Sequence, residues 1–430
     1  MNNALCAQSI PSQIARKTLR IALFHNSQHG GTKRAIYQLA KGLVARGHRI
    51  DVFVPTTADE QYLPLRSLGL HMRQIATRPF QPRAWRPYLA EVWIEGARRR
   101  RSVGQEATLG RRLAREIDAG GYDVVWVDKF AVAPAALRFL KSPTVYFCHE
   151  PTRKGHEHVT RAAVPAAAPP PSRLTRLYRH TCLISQEAEA RYLMKIDRRN
   201  AASADRIVSN SRYMSAYIQD TYGRSASISY LGVDTAVFRP LGLPREHLVL
   251  SVGWLSQRGT GKRHHLIIEA ISQIPPAQRP RLVIIAGSQK EPYATELRNL
   301  ADQMGVALQL CFDVSDEALV EWYNRAAAVG YTALHEPFGL VALEAMACGT
   351  PVVAVREGGL QESVQDGTTG FLVEATPEAV AAALKQLLDN PERQRRMGQA
   401  GIALVQQRWT WQAAVERFER HLYEVSAANL

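Results

Sequence analysis

The hydrophobic positions of this chain form short runs that alternate with longer segments of helical spacing. The run LRIALF over 19–24 is followed by a polar turn and by residues 35–47, where apolar side chains recur every three or four positions. The next apolar run, HRIDVFVP, covers 48–55. Short apolar runs are typical of buried strands, and the recurrence between them is typical of an amphipathic helix. The pattern predicts a strand–helix–strand unit with a right-handed crossover.

The same alternation continues along the rest of the chain. Apolar runs at 122–128, 143–150 and 205–211 predict further strands in the first half. Five more such runs lie between 247 and 357, and helical patterns separate most of them. Strands that alternate with helices in both halves predict an α/β fold with two doubly wound parallel sheets.

Turn-forming residues divide the two halves. The segment FRPLGLP at 238–244 contains two prolines and a glycine, which places the junction there. We therefore expect an N-terminal domain over 1–238 and a second domain over 239–408. The amphipathic end of the chain, 409–430, is expected to form a helix that packs back on the first domain.

Composition places the chain among globular proteins. Of its 430 residues, 46% are hydrophobic and 22% are charged, which excludes a disordered, collagen-like or coiled-coil chain. No apolar run approaches the ~18 residues of a membrane-spanning helix, and no secretory pattern is visible at the start. The five cysteines form no CxxC pair, so free thiols in a reducing cytoplasm are expected.

Positive charge is concentrated in the first half of the chain. Residues 1–240 carry 37 lysines and arginines against 18 acidic residues, whereas 241–430 carry 17 against 21. Such asymmetry indicates that the two halves have different partners. The basic half suits a nucleic acid, an anionic membrane or an acidic substrate. A solvated, arginine-rich surface is the alternative.

Two glycine-bearing turns stand between a predicted strand and the helix after it. Paired glycines at Gly30 and Gly31 let the backbone approach a phosphate, which the N–H groups of the next helix can bind. The segment Gly253–His265 is basic and also precedes a helix, which suits a diphosphate. Neither turn matches a GxGxxG or Walker A pattern. Taken alone, the glycine pair is equally consistent with an ordinary tight turn.

The segment His335–Ala354 carries two acidic residues in apolar surroundings. Glu336 and Glu344 stand eight positions apart. A buried carboxylate needs a partner, and sugar or ribose hydroxyls are suitable ones. The residues Phe338–Leu340 are expected to open a helix, whose free N–H groups can bind an oxygen. The alternatives are a helix N-terminal charge for Glu336 and a surface helix position for Glu344.

Taken together, these segments resemble the retaining glycosyltransferases of family 4, which have the GT-B fold. EPFGLVALE, from Glu336 to Glu344, is similar to the EX7E signature of that family, and the match continues through GGLQESVQDGTTGFLV at 358–373. YLGVDTAVFRP at 230–240 resembles the interdomain segment of the family. Residues 19–55 and 205–425 match closely. The resemblance implies two Rossmann-like domains that face each other across a cleft.

The resemblance also implies roles for individual residues. Glu344 is expected to bind the donor ribose, Glu336 the hydroxyls of the transferred hexose, and Lys262 the diphosphate. His149 in FCHEP matches the family histidine that faces the donor sugar, so His149, Glu336 and Lys262 are the expected catalytic residues. The full expected donor-binding set is Gly30, Gly31, Arg258, Lys262, Arg263, Glu336, Phe338, Gly339, Leu340, Val341 and Glu344.

Two departures from the family pattern concern charge. Trp254 stands where the family usually has arginine, which leaves Arg258 or Arg263 to supply the missing cation. Lys33 stands where the family usually has an acid after the glycine pair. No DxD pair ends a predicted strand and no cluster has metal-ligand spacing, so neither a metal nor a cofactor is expected. The nucleotide sugar is a substrate.

The sequence therefore predicts a retaining enzyme that moves a hexose from a UDP- or GDP-sugar to a glycan or lipid-linked acceptor. Within the GT-B fold, a nucleotide-sugar epimerase or a glycogen- or sucrose-type transferase is the alternative. Two other classes are a basic nucleic-acid-binding protein, for which no recognisable module is present, and a catalytically inactive nucleotide-sugar-binding protein.

Arginines in the first half also bear on location. We expect a cytoplasmic protein. The run Arg98–Arg101, together with Arg173, Arg176 and Arg179, indicates peripheral docking on the anionic inner face of a membrane, where a lipid-linked acceptor would lie.

Overall fold

The computed structural model describes residues 17–27, 30–56, 58, 60–75, 91–129, 134–151, 191–255, 261–287 and 293–428, without the side chains of 91–103, 105 and 129. The alanine- and proline-rich segment 153–173, whose composition predicts a loop, lies outside the described residues, as do the candidate Arg258 and the arginines at 173, 176 and 179.

The first domain is built on a parallel sheet of seven strands in the order β3-β2-β1-β4-β5-β6-β7 among the described residues. Its strands are β1 (Arg20–His25), β2 (Arg49–Pro55), β3 (His71–Ile75), β4 (Val124–Lys129), β5 (Thr144–Cys148), β6 (Arg206–Ser209) and β7 (Ser227–Ile228). The flanking helices are α1 (Gly31–Ala45), α2 (Glu91–Asp118) and α3 (Arg212–Tyr222), and residues 191–201 are also helical.

The second domain repeats this plan with a parallel sheet of six strands in the order β10-β9-β8-β11-β12-β13. Its strands are β8 (Glu246–Val252), β9 (Arg281–Ala286), β10 (Leu308–Phe312), β11 (Ala326–Tyr331), β12 (Val352–Val355) and β13 (Gly370–Val373). Its helices are α4 (His264–Ser272), α5 (Tyr293–Met304), α6 (Asp316–Arg325), α7 (Leu340–Ala347), α8 (Leu360–Ser363), α9 (Pro377–Leu388) and α10 (Pro391–Arg408), and α11 (Trp411–Ala427) follows them.

Both sheets have the burial expected of strands covered on two faces. All but the first residue of β1 is buried, which explains why that strand is a continuous apolar run instead of an alternating one. Helix α1 buries Ile36, Leu39 and Leu43 on one face, in accord with its apolar spacing. The predicted α/β fold of two doubly wound domains is therefore confirmed.

Helix α2 lies in a segment whose arginine-rich sequence has no clear helical pattern. It contains Arg98–Arg101 and ends at Asp118. No helix of the described residues is both long enough and apolar enough to cross a bilayer.

The strand order reverses once in each sheet, between β1 and β4 and between β8 and β11. Ligands of doubly wound sheets bind beyond the carboxyl ends of the strands at this point. The two reversal points face each other. A Cβ atom placed on Gly31, after β1, would lie 3.4 Å from Cδ1 of Leu340, after β11. The topology therefore predicts a binding site in the gap between these two segments.

The chain crosses between the domains twice, and the two crossing segments are hydrogen-bonded to each other. The amide of Val233 donates to the carbonyl oxygen of Trp409 at 2.8 Å. After the second crossing, α11 lies on the first domain, where the ring of Phe418 contacts that of Trp126 with centroids 4.8 Å apart. The first domain therefore contains a helix from the end of the chain.

Candidate active site

The turn between β1 and α1 forms one wall of the cleft. Gly30 has φ 125°, a conformation that favours glycine, and precedes the first helical residue, Gly31. A Cβ atom on Gly30 would lie 3.6 Å from Nε1 of Trp254 in the second domain. The predicted pair of glycines is thus located at a close approach of the two domains, next to Trp254 and Leu340 of the second domain.

A buried charged unit lies beneath this turn. The side chain of Lys33 is fully buried and forms an ion pair with Glu60, whose Oε1 also lies 3.3 Å from Nε2 of His25. Burial of Glu60 favours its neutral form, but the hydrogen bonds from His25 and Lys33 prevail and lower its pKa to about 2. Burial lowers the pKa of His25. The lysine that departs from the family pattern therefore supports the turn from inside the domain.

His149 follows β5 and is buried in the first domain. Its Nε2 lies 3.1 and 3.2 Å from the two carboxylate oxygens of Asp128 at the end of β4, so the ring donates to this carboxylate. The ring also stacks on Phe147 with centroids 4.5 Å apart. His149 is thus held in one orientation at the carboxyl edge of the sheet, beside the strand-order reversal.

The opposite wall of the cleft centres on Lys262. Gly253, with φ 153°, directly follows β8 and leaves room for the lysine stem, since a Cβ atom there would lie 2.7 Å from Cγ of Lys262. The Lys262 ammonium donates to Oε2 of Glu336 at 2.5 Å and to the hydroxyl of Tyr331 at 2.6 Å. The Tyr331 hydroxyl donates to the same carboxylate oxygen at 2.9 Å. Two of the three predicted catalytic residues are therefore in direct contact.

The loop after β11 places Glu336 at the start of α7. Its second carboxylate oxygen, Oε1, accepts the amide of Gly339 at 3.2 Å. Gly339 has φ 95° and precedes Leu340, the first residue of the helix, so the predicted helix start is correct. The first amides of a helix have no partner within it, and those of Leu340 and Val341 follow directly after the Gly339 amide at the start of α7. Phe338 is buried and anchors this loop against Trp409, with ring centroids 5.6 Å apart.

Glu344 is buried on α7, not on a helix surface. Its Oε2 accepts the hydroxyl of Tyr323 at 2.9 Å. Burial raises the pKa of this carboxyl, and the positive charge of Arg34 on the first domain acts against that rise. The carboxylate therefore has a donor on its own domain and a cation on the facing one.

Arg263 and Trp254 complete the second wall. The Arg263 guanidinium donates to the carbonyl oxygen of Thr332 at 2.8 Å and lies 3.4 Å from Glu357, so it supports the loop before Glu336. The Trp254 indole is 39% exposed, and a Cβ atom on Gly287 would lie 3.3 Å from its ring. An aromatic ring with one N–H donor thus stands where the family resemblance implies arginine.

Several residues around this cleft were missed in the sequence. Arg34 of α1 reaches Asp316 of α6 at 2.7 Å, across the domain boundary. Asp128 and Glu60 hold His149 and Lys33, respectively. An acid that ends an apolar strand was the available signal for Asp128. Glu60 stands in a segment without periodicity, so no sequence signal marks it.

Family models match both halves of the chain. A model described as "Glycosyltransferase Family 4" matches residues 29–237, and one described as "Glycosyl transferases group 1" matches 235–403. A curated relative from Thermobifida fusca, named D-inositol 3-phosphate glycosyltransferase, is 30% identical over 405 residues, covering 87% of this chain and 84% of that protein. This chain belongs to glycosyltransferase family 4. A relative of the same name from Acidothermus cellulolyticus is 31% identical and is covered to 84% of its length.

Solved structures share the architecture of this glycosyltransferase. HepE from Anabaena, in complex with UDP and glucose, superposes with a TM-score of 0.68 at 19% identity, over 94% of this chain and all of that one. Sucrose-phosphate synthase from Thermosynechococcus elongatus superposes with a TM-score of 0.69 at 22% identity, over 95% of this chain and all of the other chain. The predicted family membership and the GT-B fold are confirmed, and the protein is a glycosyltransferase.

Proposed function

We propose that this enzyme transfers a hexose from a UDP- or GDP-sugar, with retention of configuration, to a glycan or lipid-linked acceptor. The observation that carries the proposal is the unit of Lys262, Tyr331 and Glu336, which faces the Gly30–Gly31 turn across the cleft. A basic group, a sugar-binding carboxylate and an open backbone turn are the groups that a nucleotide sugar needs. HepE, which shares the fold, is seen with UDP and with UDP-glucose.

Departure of the nucleotide diphosphate creates the charge that the site must stabilise. Lys262, whose side chain is 22% exposed, is the cation placed to meet that charge. The unpaired amides at the start of α7 add the positive end of a helix dipole. Groups of this kind, aimed at a developing anion in a cleft with little water, often lower the activation barrier more than any other feature of an enzyme.

Glu336 and Glu344 suit two different parts of the donor. Glu336 is positioned by Lys262, Tyr331 and the Gly339 amide, and we assign it to the hydroxyls of the hexose. Glu344, eight residues later and more buried, is assigned to the ribose hydroxyls. These assignments extend the family resemblance to side chains that lie on the same wall of the cleft.

Retention is proposed to occur by departure and attack on one face of the sugar. The carboxylates of Asp128 and Glu336 are held by His149 and Lys262, respectively, and Asp128 is fully buried. Such engaged carboxylates are poor nucleophiles, which favours a front-face route over a covalent intermediate. His149 is assigned to the side of the cleft that faces the donor sugar.

A donor and acceptor screen tests the proposal. The purified protein is incubated with UDP- and GDP-hexoses and with acceptors that include polyprenyl diphosphate sugars and D-inositol 3-phosphate, the acceptor in the relatives' names. Mass spectrometry detects transfer, and the proton coupling at the new anomeric centre reports configuration. Retained configuration with one donor base supports the proposal. Inversion, or turnover without a nucleotide sugar, contradicts it.

A basic surface of the first domain favours a membrane-bound acceptor. Arg111 and Arg138 lie over the ring of Phe139, at 5.0 and 5.2 Å from its centroid. Burial lowers the pKa of Arg138, and the charges of Arg199 and Arg111 lower it further. Arginines that repel one another around an aromatic ring suit an anionic lipid surface. We propose that this face docks on the inner leaflet together with Arg98–Arg101, which precede Arg111 in α2.

Vesicle flotation tests the docking. Binding should require anionic lipid, weaken with salt, and fall when Arg111 and Arg138 become glutamine. The pair Arg395 and Arg396, changed to glutamine on α10 of the other domain, is the matched control. Protein that stays at the bottom of the gradient at low salt would contradict docking and favour a soluble acceptor.

A further inference from the structure

Glu362 connects the two domains and has no part in the proposed chemistry. It lies on α8 of the second domain, within the segment 358–373 that resembles the family, and its side chain is only 8% exposed. Its Oε2 accepts the amide of Arg212 at 3.0 Å, and its Oε1 accepts the amide of Tyr213 at 2.9 Å. Both amides belong to the first turn of α3, in the first domain.

The Glu362 carboxylate accepts hydrogen bonds from backbone amides at the start of α3 that have no acceptor within the helix. The first amides of a helix have no acceptor within it and carry the positive end of its dipole. In α3 the third of these amides, that of Met214, donates to the N-cap Ser211 at 3.0 Å, which leaves the first two for Glu362. A third donor is the hydroxyl of Tyr230, on the first crossing between the domains, at 2.7 Å. The domain contact is thus a network of charge-assisted hydrogen bonds.

The same turn of α3 contacts the loop that carries Glu336. The hydroxyl of Ser211 donates to the carbonyl oxygen of Pro337 at 2.5 Å. The Tyr213 hydroxyl lies 3.1 Å from Nδ1 of His335. The residues on both sides of Glu336 are therefore held by the facing domain.

The segment of Glu362 holds that loop from the other side. The amide of Gly359 donates to the carbonyl oxygen of Glu336 at 2.8 Å. Gly358 has φ 62°, and a Cβ atom there would lie 2.4 Å from the same oxygen, so the backbone of Glu336 leaves no room for a side chain. The backbone of Glu336 is consequently packed between Gly358–Gly359 and the first turn of α3.

We propose that Glu362 is a positioning residue that fastens the first turn of α3 to the second domain and thereby sets the place of Glu336 in the cleft. Without it, the first turn of α3 would lose its two carboxylate acceptors, and the loop 335–337 would lose one of its two supports. The effect on catalysis rests on the proposed role of Glu336; the effect on the loop does not.

Hydrogen exchange in the ligand-free protein tests the positioning directly. Loss of charge-assisted hydrogen bonds in Glu362→Ala should speed exchange of residues 211–216 by about ten- to a hundredfold. Exchange of 335–341 should also rise. The matched control is Asp366→Asn, because Asp366 lies in the same segment but binds Arg356 and the Leu372 amide within its own domain. That variant should leave both segments unchanged.

Two milder variants, which each remove a single hydroxyl group and keep Glu362, test the proposal even if Glu362→Ala folds poorly. Tyr230→Phe removes one donor to Glu362 and should give a smaller rise in both segments. Tyr213→Phe leaves the amide bonds to Glu362 in place and should affect 335–341 alone. If Glu362→Ala speeds exchange of 211–216 but not of 335–341, Glu362 only caps α3 and the proposal is overturned.

Kinetics then separate this proposal from the proposed function. With an active donor and acceptor pair, Glu362→Ala should lower kcat by about tenfold or more while donor KM changes less. An unchanged kcat in an enzyme that does depend on Glu336 overturns the proposal. If exchange changes as expected but no nucleotide sugar is turned over even by the parent protein, the proposed function fails while the positioning role stands.

Discussion

Two lysines follow glycine-bearing turns on opposite sides of the cleft, and each forms an ion pair with a glutamate. The side chain of Lys33 in the first domain is fully buried and pairs with Glu60, which is 16% exposed, whereas Lys262 of the second domain is 22% exposed beside Glu336. Both lysines come after a glycine-bearing turn that suits a phosphate, so their positions in the sequence do not distinguish their roles. Burial separates them: a cation without access to the cleft can only support the turn above it, and one at the cleft surface can bind a substrate. Substitutions at the two lysines test this difference.

The largest effect is expected from Lys262→Ala. Removal of the cation that meets the leaving diphosphate should lower kcat by about a hundred- to a thousandfold. The free energy of unfolding should fall less than in a variant that lacks Lys33, because Lys262 is itself partly exposed to solvent. Steady-state kinetics measure the first quantity and urea denaturation the second. Lys385→Ala, at an exposed lysine of the same domain, is the control. Near-normal kcat in Lys262→Ala would remove Lys262 from the donor site.

Lys33→Met should show the opposite profile. Breaking a buried ion pair leaves Glu60 without its cation, which should lower the free energy of unfolding by about 3 kcal/mol. The double variant Lys33→Met/Glu60→Met should recover part of this loss, because an apolar pair needs no counter-charge. Lys17→Met, at an exposed lysine paired with Asp123, should change stability by less than about 0.5 kcal/mol. A stable Lys33→Met with impaired kcat would mean that Lys33 binds substrate.

Glu344→Gln tests whether burial always separates structural charges from substrate-binding ones, since Glu344 is buried yet is assigned to the donor. Loss of a charged acceptor for ribose should raise donor KM by about tenfold or more, at about 1.5–3 kcal/mol per charged hydrogen bond. Stability should not fall, because burial already disfavours the charge and the amide oxygen still accepts from Tyr323. Glu321→Gln, on the exposed face of α6, is the control. A large loss of stability with normal KM would give Glu344 a structural role only.

Acid denaturation reports on the buried unit of the first domain. The pKa of Glu60 is about 2 in the folded protein, below its ordinary value of 4.5, so the folded state binds fewer protons than the unfolded state between these values. The stabilisation from Glu60 is therefore present above pH 4.5 and is lost as the pH falls towards 2. In Glu60→Gln this part of the pH dependence should flatten. A profile identical to that of the parent protein would contradict the assigned ion pair.

The smallest effect is expected from metal removal. Within the described ranges, no group of three or more His, Cys, Asp or Glu side chains is placed to hold a metal ion. With Lys262 and the start of α7 assigned to the diphosphate, activity should be unchanged by EDTA. Loss of activity that magnesium or manganese restores would show that the cleft uses a metal.

The sequence by itself determined the fold and the location of the cleft walls. Apolar runs and helical spacing are local properties, so β1, α1 and β2 are visible without any knowledge of their neighbours. The turn at Gly30 and the segment from Glu336 to Glu344 are marked by residue types at short spacing. Parallel topology then places the ends of these strands at one edge of each sheet.

The tertiary structure alone decided what each charged group contacts. Glu60 is 27 residues from Lys33, and Glu362 is 150 residues from Arg212, so no spacing rule connects them. Helix α7 is apolar on nearly every face, so its sequence does not show which of its residues are buried. Glu344 is buried because α6 and α7 pack together. Whether a charge supports the fold or faces a substrate depends on its depth and its partner, and both arise only when distant segments pack together.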